Sequence, residues 1–486
     1  MRYVMTIDQG TSSSRAVIFD EDLYQVAVAQ EEFDQIYPKP GWVEHKPNDI
    51  ILSVMSCVEQ VVKKAGISFN SISAIGITNQ RETVVAWDAE TGKPLTNAIV
   101  WQCRRTAKRC EELKENYYKT IHEKTGLLID PYFSATKMEW MLRNIPDVKA
   151  AAEKGTLKFG TVDSWLIWNL SPERLHVTDY TNASRTMLFN INELKWDNEL
   201  LELFGIKEEW LPELVDSSKM IGASIYGPPI AGIAGDQQSS LFGHTAFDKG
   251  EIKCTYGTGN FILMNTGDKP SYSDRGLLTT IGWKIGKEIV YALEGSIFTT
   301  GALIAWLRDG LGMLNSADES EKLAKQVDDN GGVYFSGALA GLGAPYWDSS
   351  ARGLLIGLTR GVKKAHVVRA VLEYVAFRTK EIVELMEEES GLETKKMLVD
   401  GGMTKNNFLM EMQSKVMGVS LDRAVTRETT ALGAALLAGL AVGIWDKKKL
   451  KEKRRSEVVF SPNGKEMEEE YRKWKVAMER SMKWDC

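Results

Sequence analysis

The stretch that decides the fold is "VMTIDQGTSSSRAVIFD", residues 4–20. Apolar residues on either side of a polar knot read as one β-strand, a tight turn and a second strand. The first strand ends in a carboxylate, Asp8, and the turn is built from Gly10, Thr11, Ser12, Ser13 and Ser14, with Arg15 directly after. Exposed amide donors, hydroxyls and a nearby cation are what a polyphosphate needs. An acid at the strand end is what its magnesium needs, directly or through water. Gly-Thr-Ser turns are also ordinary β-turns, so the hairpin alone leaves a phosphate cradle and a plain turn both open. No GxxxxGK[ST], strand-linked GxGxxG, HExxH, CxxC or GxSxG occurs to compete with it.

Outward from the hairpin, the first 110 residues alternate strand-like and helix-like segments, which indicates an α/β fold. "QVAVAQEEF" and "ISAIGIT" read as strands, and "DIILSVMSCVEQVVKKA" as a helix ending near Gly66. The second half repeats the style. "GEIKCTYGTGNFILMNTG" reads as two strands around a Gly-Thr-Gly turn, residues 365–391 as a long amphipathic helix closed by Gly391, and "KKMLVDGGMTKNNFLMEMQSKVMG" as strand, glycine turn, helix. A twofold echo runs through the chain: "MTIDQGTSSS" has partners in "GIAGDQQSSLFG" (232–243) and in "YGTGN" (256–260). The echo puts a domain boundary near residue 245, giving domains 1–245 and 246–486 without a recognisable linker, as in two lobes that hinge on a shared cleft.

At 486 residues the chain exceeds one ordinary core. A net charge of -6 argues against a general nucleic-acid binder, which needs a basic field. Five scattered cysteines without a CxxC pair read as reduced thiols in a cytosol. The N-terminus has no signal segment, and the longest apolar run, residues 431–445, is too short to span a bilayer, so it reads as a buried helix and the chain as a protein without membrane insertion. The charged runs 446–455 and 466–473 read as solvated helix faces, and the tryptophans of "WDNELLELFGIKEEWLP" as core. The five histidines show no metal-ligand spacing.

Two acid-bearing turns, Asp8 and Asp236, with the "YGTG" turn opposite, resemble the actin-like ATPase architecture, in which two ribonuclease-H-like domains flank a nucleotide cleft. Arg81 and Glu82 follow the strand 74–78, either as a hydroxyl-binding pair of donor fork and acceptor or as a plain surface ion pair. "YPKPGWVEH", "GITNQRET", "NAIVWQCRRTA", "IDPYFSATK", "VTDYTNASRTMLFN", "GIAGDQQSSLFG", "YGTGNFILMNTG" and "VDGGMTKNNFLM" together resemble the FGGY carbohydrate-kinase family in its glycerol-using branch. "SATKMEWM" and "GLTRGVKKAHVVRAVLE" resemble two general signatures of that family. The resemblance runs from the first strand to about residue 445.

The resemblance implies an ATP:glycerol 3-phosphotransferase, the first step of glycerol catabolism in the cytoplasm, with ATP and Mg2+. Arg81, Glu82, Trp101, Tyr132, Asp236, Gln237 and Phe261 match glycerol-binding positions, with Asp236 as general base. Asp8, together with Asp236, matches the magnesium site. Thr11, Ser12, Ser13 and Arg15 match the first phosphate loop; Gly257, Thr258 and Gly259 the second; Gly301, Gly402 and Asn406 the nucleotide site. The family leans to homodimers. A kinase for another polyol or ketose, and an acceptor-independent ATPase switch, are the competing readings. Ala305 stands where many members carry Gln. Residues 222–230 lack the basic insertion that binds fructose 1,6-bisphosphate, and Ser224 stands where another branch has a phosphorylatable His, so regulation by that sugar phosphate and by the phosphocarrier is expected to be absent.

Overall fold

The computed structural model describes residues 2–339, 341–348, 350–426, 428–463 and 467–484. Cys486 and Glu466, the first residue of the acidic run, lie outside them. Two large sheets organise the chain. In the first, β1 (Tyr3–Gln9), β2 (Ser13–Asp20) and β3 (Gln25–Glu32) form an antiparallel meander, and β4 (Ile72–Asn79) lies parallel to β1. β5 (Ser218–Ala223) pairs antiparallel with β6 (Pro229–Gly235), which lies parallel to β4, giving the order β5-β6-β4-β1-β2-β3.

The second sheet contains β7 (Ile252–Tyr256), β8 (Asn260–Gly267), β9 (Leu278–Ile285), β10 (Glu288–Ile297), β11 (Lys396–Asp400), β12 (Ser420–Ala424) and β13 (Ser456–Phe460). Its order is β9-β10-β8-β7-β11-β12-β13. The central five strands repeat the plan of the first sheet, β10-β8-β7-β11-β12 corresponding to β3-β2-β1-β4-β6: a three-stranded meander, then two parallel additions. The turn "YGTGN" therefore occupies the place of the Gly10–Ser12 turn. "GIAGDQQSSLFG" does not, which corrects one half of the sequence echo. It is the end of β6 running into a helix, Asp236–Gly243. An acid followed by polar residues is as good a helix start as a turn, because its charge favours the exposed N–H groups of the first helical turn.

The helices used below are α1 (Pro47–Ala65), α2 (Ala135–Asn144), α3 (Asp236–Gly243), α4 (Lys364–Ser390), α5 (Asn407–Met417) and α6 (Thr429–Ala441). Proline at the start of α1 and left-handed Gly66 after it set its bounds, and left-handed Gly391 ends α4. Between β4 and β5 the chain also builds a separate layer around Phe133, Met138, Phe159 and Leu188, which packs on Ile281 and Tyr291 of the second sheet. Trp196 and Trp210 are buried in it, and Cys57, Cys103, Cys110 and Cys254 are free and buried. Among the described residues no helix is long and apolar enough to cross a membrane.

α3 and α6 join the halves, and each lies against the sheet of the other half. α6 packs on β1, β4 and β6, while α3 touches β7, β8 and β9. Leu241, Phe242, Leu436, Leu437 and Trp283 share one buried cluster there. The two helix backbones approach through glycine: a Cβ on Gly433 would lie 1.8 Å from the Ser239 carbonyl oxygen, and one on Gly243 2.1 Å from that of Thr429. Thr6 of β1 and Ser239 of α3 donate hydroxyl hydrogen bonds to the Ala431 and Thr430 carbonyls, at 2.9 and 2.7 Å.

Gly433→Ala is expected to lower stability by about 1–3 kcal/mol, because backbone cannot yield as a side chain can. Urea denaturation measures it; a midpoint equal to that of the unaltered chain would show that the helices can part at no cost.

Candidate active site

The first hairpin delivers its groups to three different surroundings. Asp8 and Arg15 stand opposite each other in the β1–β2 register, with Arg15 Nη1 4.0 Å from Asp8 Oδ2. The same nitrogen pairs with Glu428, just ahead of α6, and Nη2 donates to Gln30 at 3.1 Å. Thr11 Oγ1 accepts from the Trp101 indole at 3.0 Å, Ser12 is exposed at the tip, and Ser13 Oγ accepts from Gln30 at 3.0 Å. The Ser14 hydroxyl is buried against Ser53 of α1. Burial raises the Asp8 carboxyl to about 7; Arg15 opposes this, while Glu428 and Asp236 add to it. Two carboxylates near enough for Asp236 to raise Asp8 form a donor set that fits a divalent cation.

Arg81 and Glu82 follow β4 directly and are buried, at 3% and 1% exposure, which removes the surface-pair reading. Glu82 has a left-handed backbone, φ 61°, a conformation that costs a non-glycine residue on the order of 1 kcal/mol and occurs where surrounding contacts enforce it. Those contacts are ionic. Both Arg81 terminal nitrogens bind Glu294 of β10, Nη2 at 2.9 Å, and Arg81 Nε lies 3.1 Å from Asp236 Oδ1. Arg185 donates from Nε to Glu82 Oε1 at 2.6 Å and from Nη2 to Glu294 Oε1 at 3.1 Å. Burial would raise Glu294, but Arg185 and Arg81 outweigh it and hold the carboxyl down at about 2. Glu82 moves the other way, because burial there exceeds the pull of Arg185 and Arg81.

The aromatic wall stands over this cluster. The Tyr132 and Trp101 rings meet edge to face at 5.4 Å, and the Arg185 guanidinium lies 5.7 Å from the Tyr132 ring. Asp236 opens α3, and its Oδ1 accepts from the Gln237 amide at 2.7 Å. Its carboxyl is raised by burial, against the pull of Arg81 and Lys253. Gln237 Oε1 in turn accepts from Lys253 Nζ at 2.5 Å, and that wholly buried ammonium also donates to Thr255 Oγ1 at 3.1 Å. Phe261 on β8 lies opposite Thr255 and Ser296 in the sheet; among the described residues no ring contact joins it to Trp101 or Tyr132.

The second turn is braced from behind. Thr258 O accepts from Thr300 N and Ala302 N at 3.0 and 3.1 Å, and Gly257 O accepts from Gly301 N at 3.1 Å. A Cβ at Gly301 would sit 2.4 Å from Gly257 O, so only glycine permits the contact. Gly402 is exposed after β11. Asn406 caps α5, its Oδ1 accepting from Leu409 N at 2.9 Å. Ala305 is half-buried in the short helix Gly301–Ala305.

Hydrogen bonds, ion pairs and ring contacts thus join Arg81, Glu82, Trp101, Tyr132, Asp236, Gln237 and Thr11 into one network, with Asp8 within electrostatic reach of Asp236. Sequence reading missed Arg185, Glu294 and Lys253. For Glu294 and Lys253 the signal available was a charge within an apolar strand, as in "YALEGSI" and "IKCTY". Nor did sequence reading supply the partner of the Arg81 fork, which is bidentate on Glu294. A guanidinium this deeply buried needs a counter-ion, and only folding supplies one from residue 294.

The model of the FGGY family of carbohydrate kinases, N-terminal domain, matches residues 3–243, and that of the C-terminal domain matches residues 252–442. The chain is 54% identical to glycerol kinase 2 of Thermotoga maritima, over 100% of each chain. It is 54% identical to a glycerol kinase of Petrotoga mobilis, over 99% of each. Among solved structures, Plasmodium falciparum glycerol kinase with ADP superposes with a TM-score of 0.92 at 39% identity, covering 99% of this chain and 98% of that one. A xylulose kinase from Lactobacillus acidophilus shares the fold, with a TM-score of 0.86 at 23% identity over 99% and 97% of the chains.

The raised Asp8 carboxyl has a stability consequence. The folded chain keeps a proton that the unfolded chain releases above the ordinary aspartate value of 3.8, so stability falls as pH rises from there to about 7 and the cost persists above. Asp8→Asn is therefore expected to be more stable than the unaltered chain by ~2 kcal/mol at pH 7.5, the difference vanishing near pH 4. Paired urea titrations at the two pH values measure it; an equal difference at both would show that Asp8 is not held protonated.

Proposed function

The chain belongs to the FGGY family of carbohydrate kinases and has its two-domain α/β fold, ribonuclease-H-like (actin-like) in each half; from that membership we propose that it transfers the γ-phosphoryl group of ATP to glycerol, giving ADP and sn-glycerol 3-phosphate. The observation that carries the reading is Asp236. Its carboxylate stands at the start of α3, both of its hydrogen-bonding contacts fall on Oδ1, and its side chain is 32% exposed. Oδ2 is then the oxygen that takes the proton of the attacking terminal hydroxyl. A carboxyl raised by burial is a better proton acceptor than an ordinary one, which is the tuning a general base requires.

Glu82, Arg81, Tyr132 and Gln237 bind and orient the three hydroxyls, while Trp101 and Phe261 wall the carbon chain. Three carbons need a short slot, and unmet polar partners in it penalise molecules without matching hydroxyls. Thr11, Ser12, Ser13 and Arg15 on one side, and Gly257, Thr258 and Gly259 on the other, hold the polyphosphate. Gly301, Gly402 and Asn406 border the nucleoside. Asp8 and Asp236 would hold Mg2+, which when bound neutralises phosphate charge. Among the described residues no group of three or more His, Cys, Asp or Glu is placed to hold a metal, in keeping with an ion bound through one or two carboxylates and substrate phosphates. In-line positioning and charge neutralisation are most of what phosphoryl transfer asks of a protein. Residues 1–245 and 246–486 act as the two domains, and closing the cleft between them excludes water from the reaction.

ADP release with Mg-ATP should be strong with glycerol and weak with xylulose, gluconate or no acceptor. Asp236→Asn should lower kcat by about 10²–10⁴. Release indifferent to the acceptor would sink the glycerol reading and favour an ATPase switch.

A further inference from the structure

Lys137 is wholly buried in the first turn of α2. A cation there opposes the helix dipole, and burial adds a desolvation cost that Met or Leu would avoid. The geometry accounts for it. Nζ donates to three successive carbonyl oxygens, Pro131 O at 2.5 Å, Tyr132 O at 2.6 Å and Phe133 O at 2.8 Å. An ammonium has three hydrogens and no acceptor, so each hydrogen has one oxygen. Three carbonyls of one turn converging on a point repel one another, and the cation at that point holds them together.

The other side of the same turn is fixed by Asp130. Its Oδ1 accepts from Tyr132 N at 2.8 Å, and its carbonyl accepts from Phe133 N at 3.2 Å. Ser134, next in the chain, donates its hydroxyl to Glu82 O at 3.0 Å. Side chain and backbone of residues 130–137 therefore set where the Tyr132 ring lies against Trp101. We propose that Lys137 is the positioning residue for Tyr132: its ammonium clamps the Pro131–Phe133 turn and so sets affinity for glycerol, not the phosphoryl-transfer step. The proposal rests on the reading of Tyr132 as a residue that binds the glycerol hydroxyls.

The test is steady-state kinetics of the full chain bearing Lys137→Met, Tyr132→Ala, or both. Lys137→Met should raise the glycerol KM about tenfold, an effect the size of one pocket contact, with the ATP KM and kcat little changed. The double variant should be no worse than Tyr132→Ala alone, because residues acting through one element are non-additive. Effects that multiply, or an unchanged glycerol KM in Lys137→Met while Tyr132→Ala raises it, overturn the proposal alone. An unchanged KM in Tyr132→Ala overturns the pocket reading and the proposal together.

If Lys137→Met does not fold, the unaltered chain still reports. Burial lowers the Lys137 ammonium to about 8, against Glu82 after β4, Cys103 and Cys110 beside it, and Asp130 in its own turn. Loss of the third hydrogen should raise the glycerol KM above about pH 8 with the ATP KM flat, and Tyr132→Ala should lack that rise. A glycerol KM unchanged through this range overturns the proposal.

Discussion

The contact between α3 and α6 governs everything else in the molecule. Two helices separated by nearly two hundred residues of chain touch backbone to backbone at Gly433 and Gly243. Each carries an acid of the candidate site at or just ahead of its start. Asp236 opens α3, and Glu428 immediately precedes α6 and pairs with Arg15 of the first hairpin. Because each helix also lies on the sheet of the other half, neither half can turn without carrying one of these residues with it. Tight interior packing makes such a joint discrete and not continuously soft.

A second constraint acts on the pocket floor. Arg81, Glu82, Arg185 and Glu294 are all buried, and the cost of removing four charges from water is offset only by their close mutual pairing. Glu294 belongs to β10, so the floor under the proposed glycerol site is completed by the second sheet. Asp8, Asp236 and Glu82 are raised because burial exceeds the pull of their neighbouring cations, so that one cleft holds strongly ionised and readily protonated acids side by side.

Much of this was legible in the chain itself. Alternation marked β1, β2, β3 and β4; glycine marked the ends of α1 and α4; and the small-residue run 431–445 announced a buried helix, α6, of which Gly433 is the contact point. These are local signals, carried by spacing within a dozen residues. The "GIAGDQQSS" segment was misread because a strand followed by acid and polar residues encodes a hairpin and a helix start alike. Whether the chain turns back or winds up there depends on what covers β6.

By itself, the sequence determined the residue types of the two glycine turns, the acids beside them, the α/β alternation and the twofold plan, because all follow from short-range periodicity and turn chemistry. Only the tertiary structure decided which charges share a dielectric. Glu294 is 213 positions from Arg81 and Lys253 is 16 from Gln237, yet both distances close to hydrogen bonds once the sheets stack. Ion pairing in a buried site depends on distance and desolvation, neither of which is encoded by neighbours along the chain.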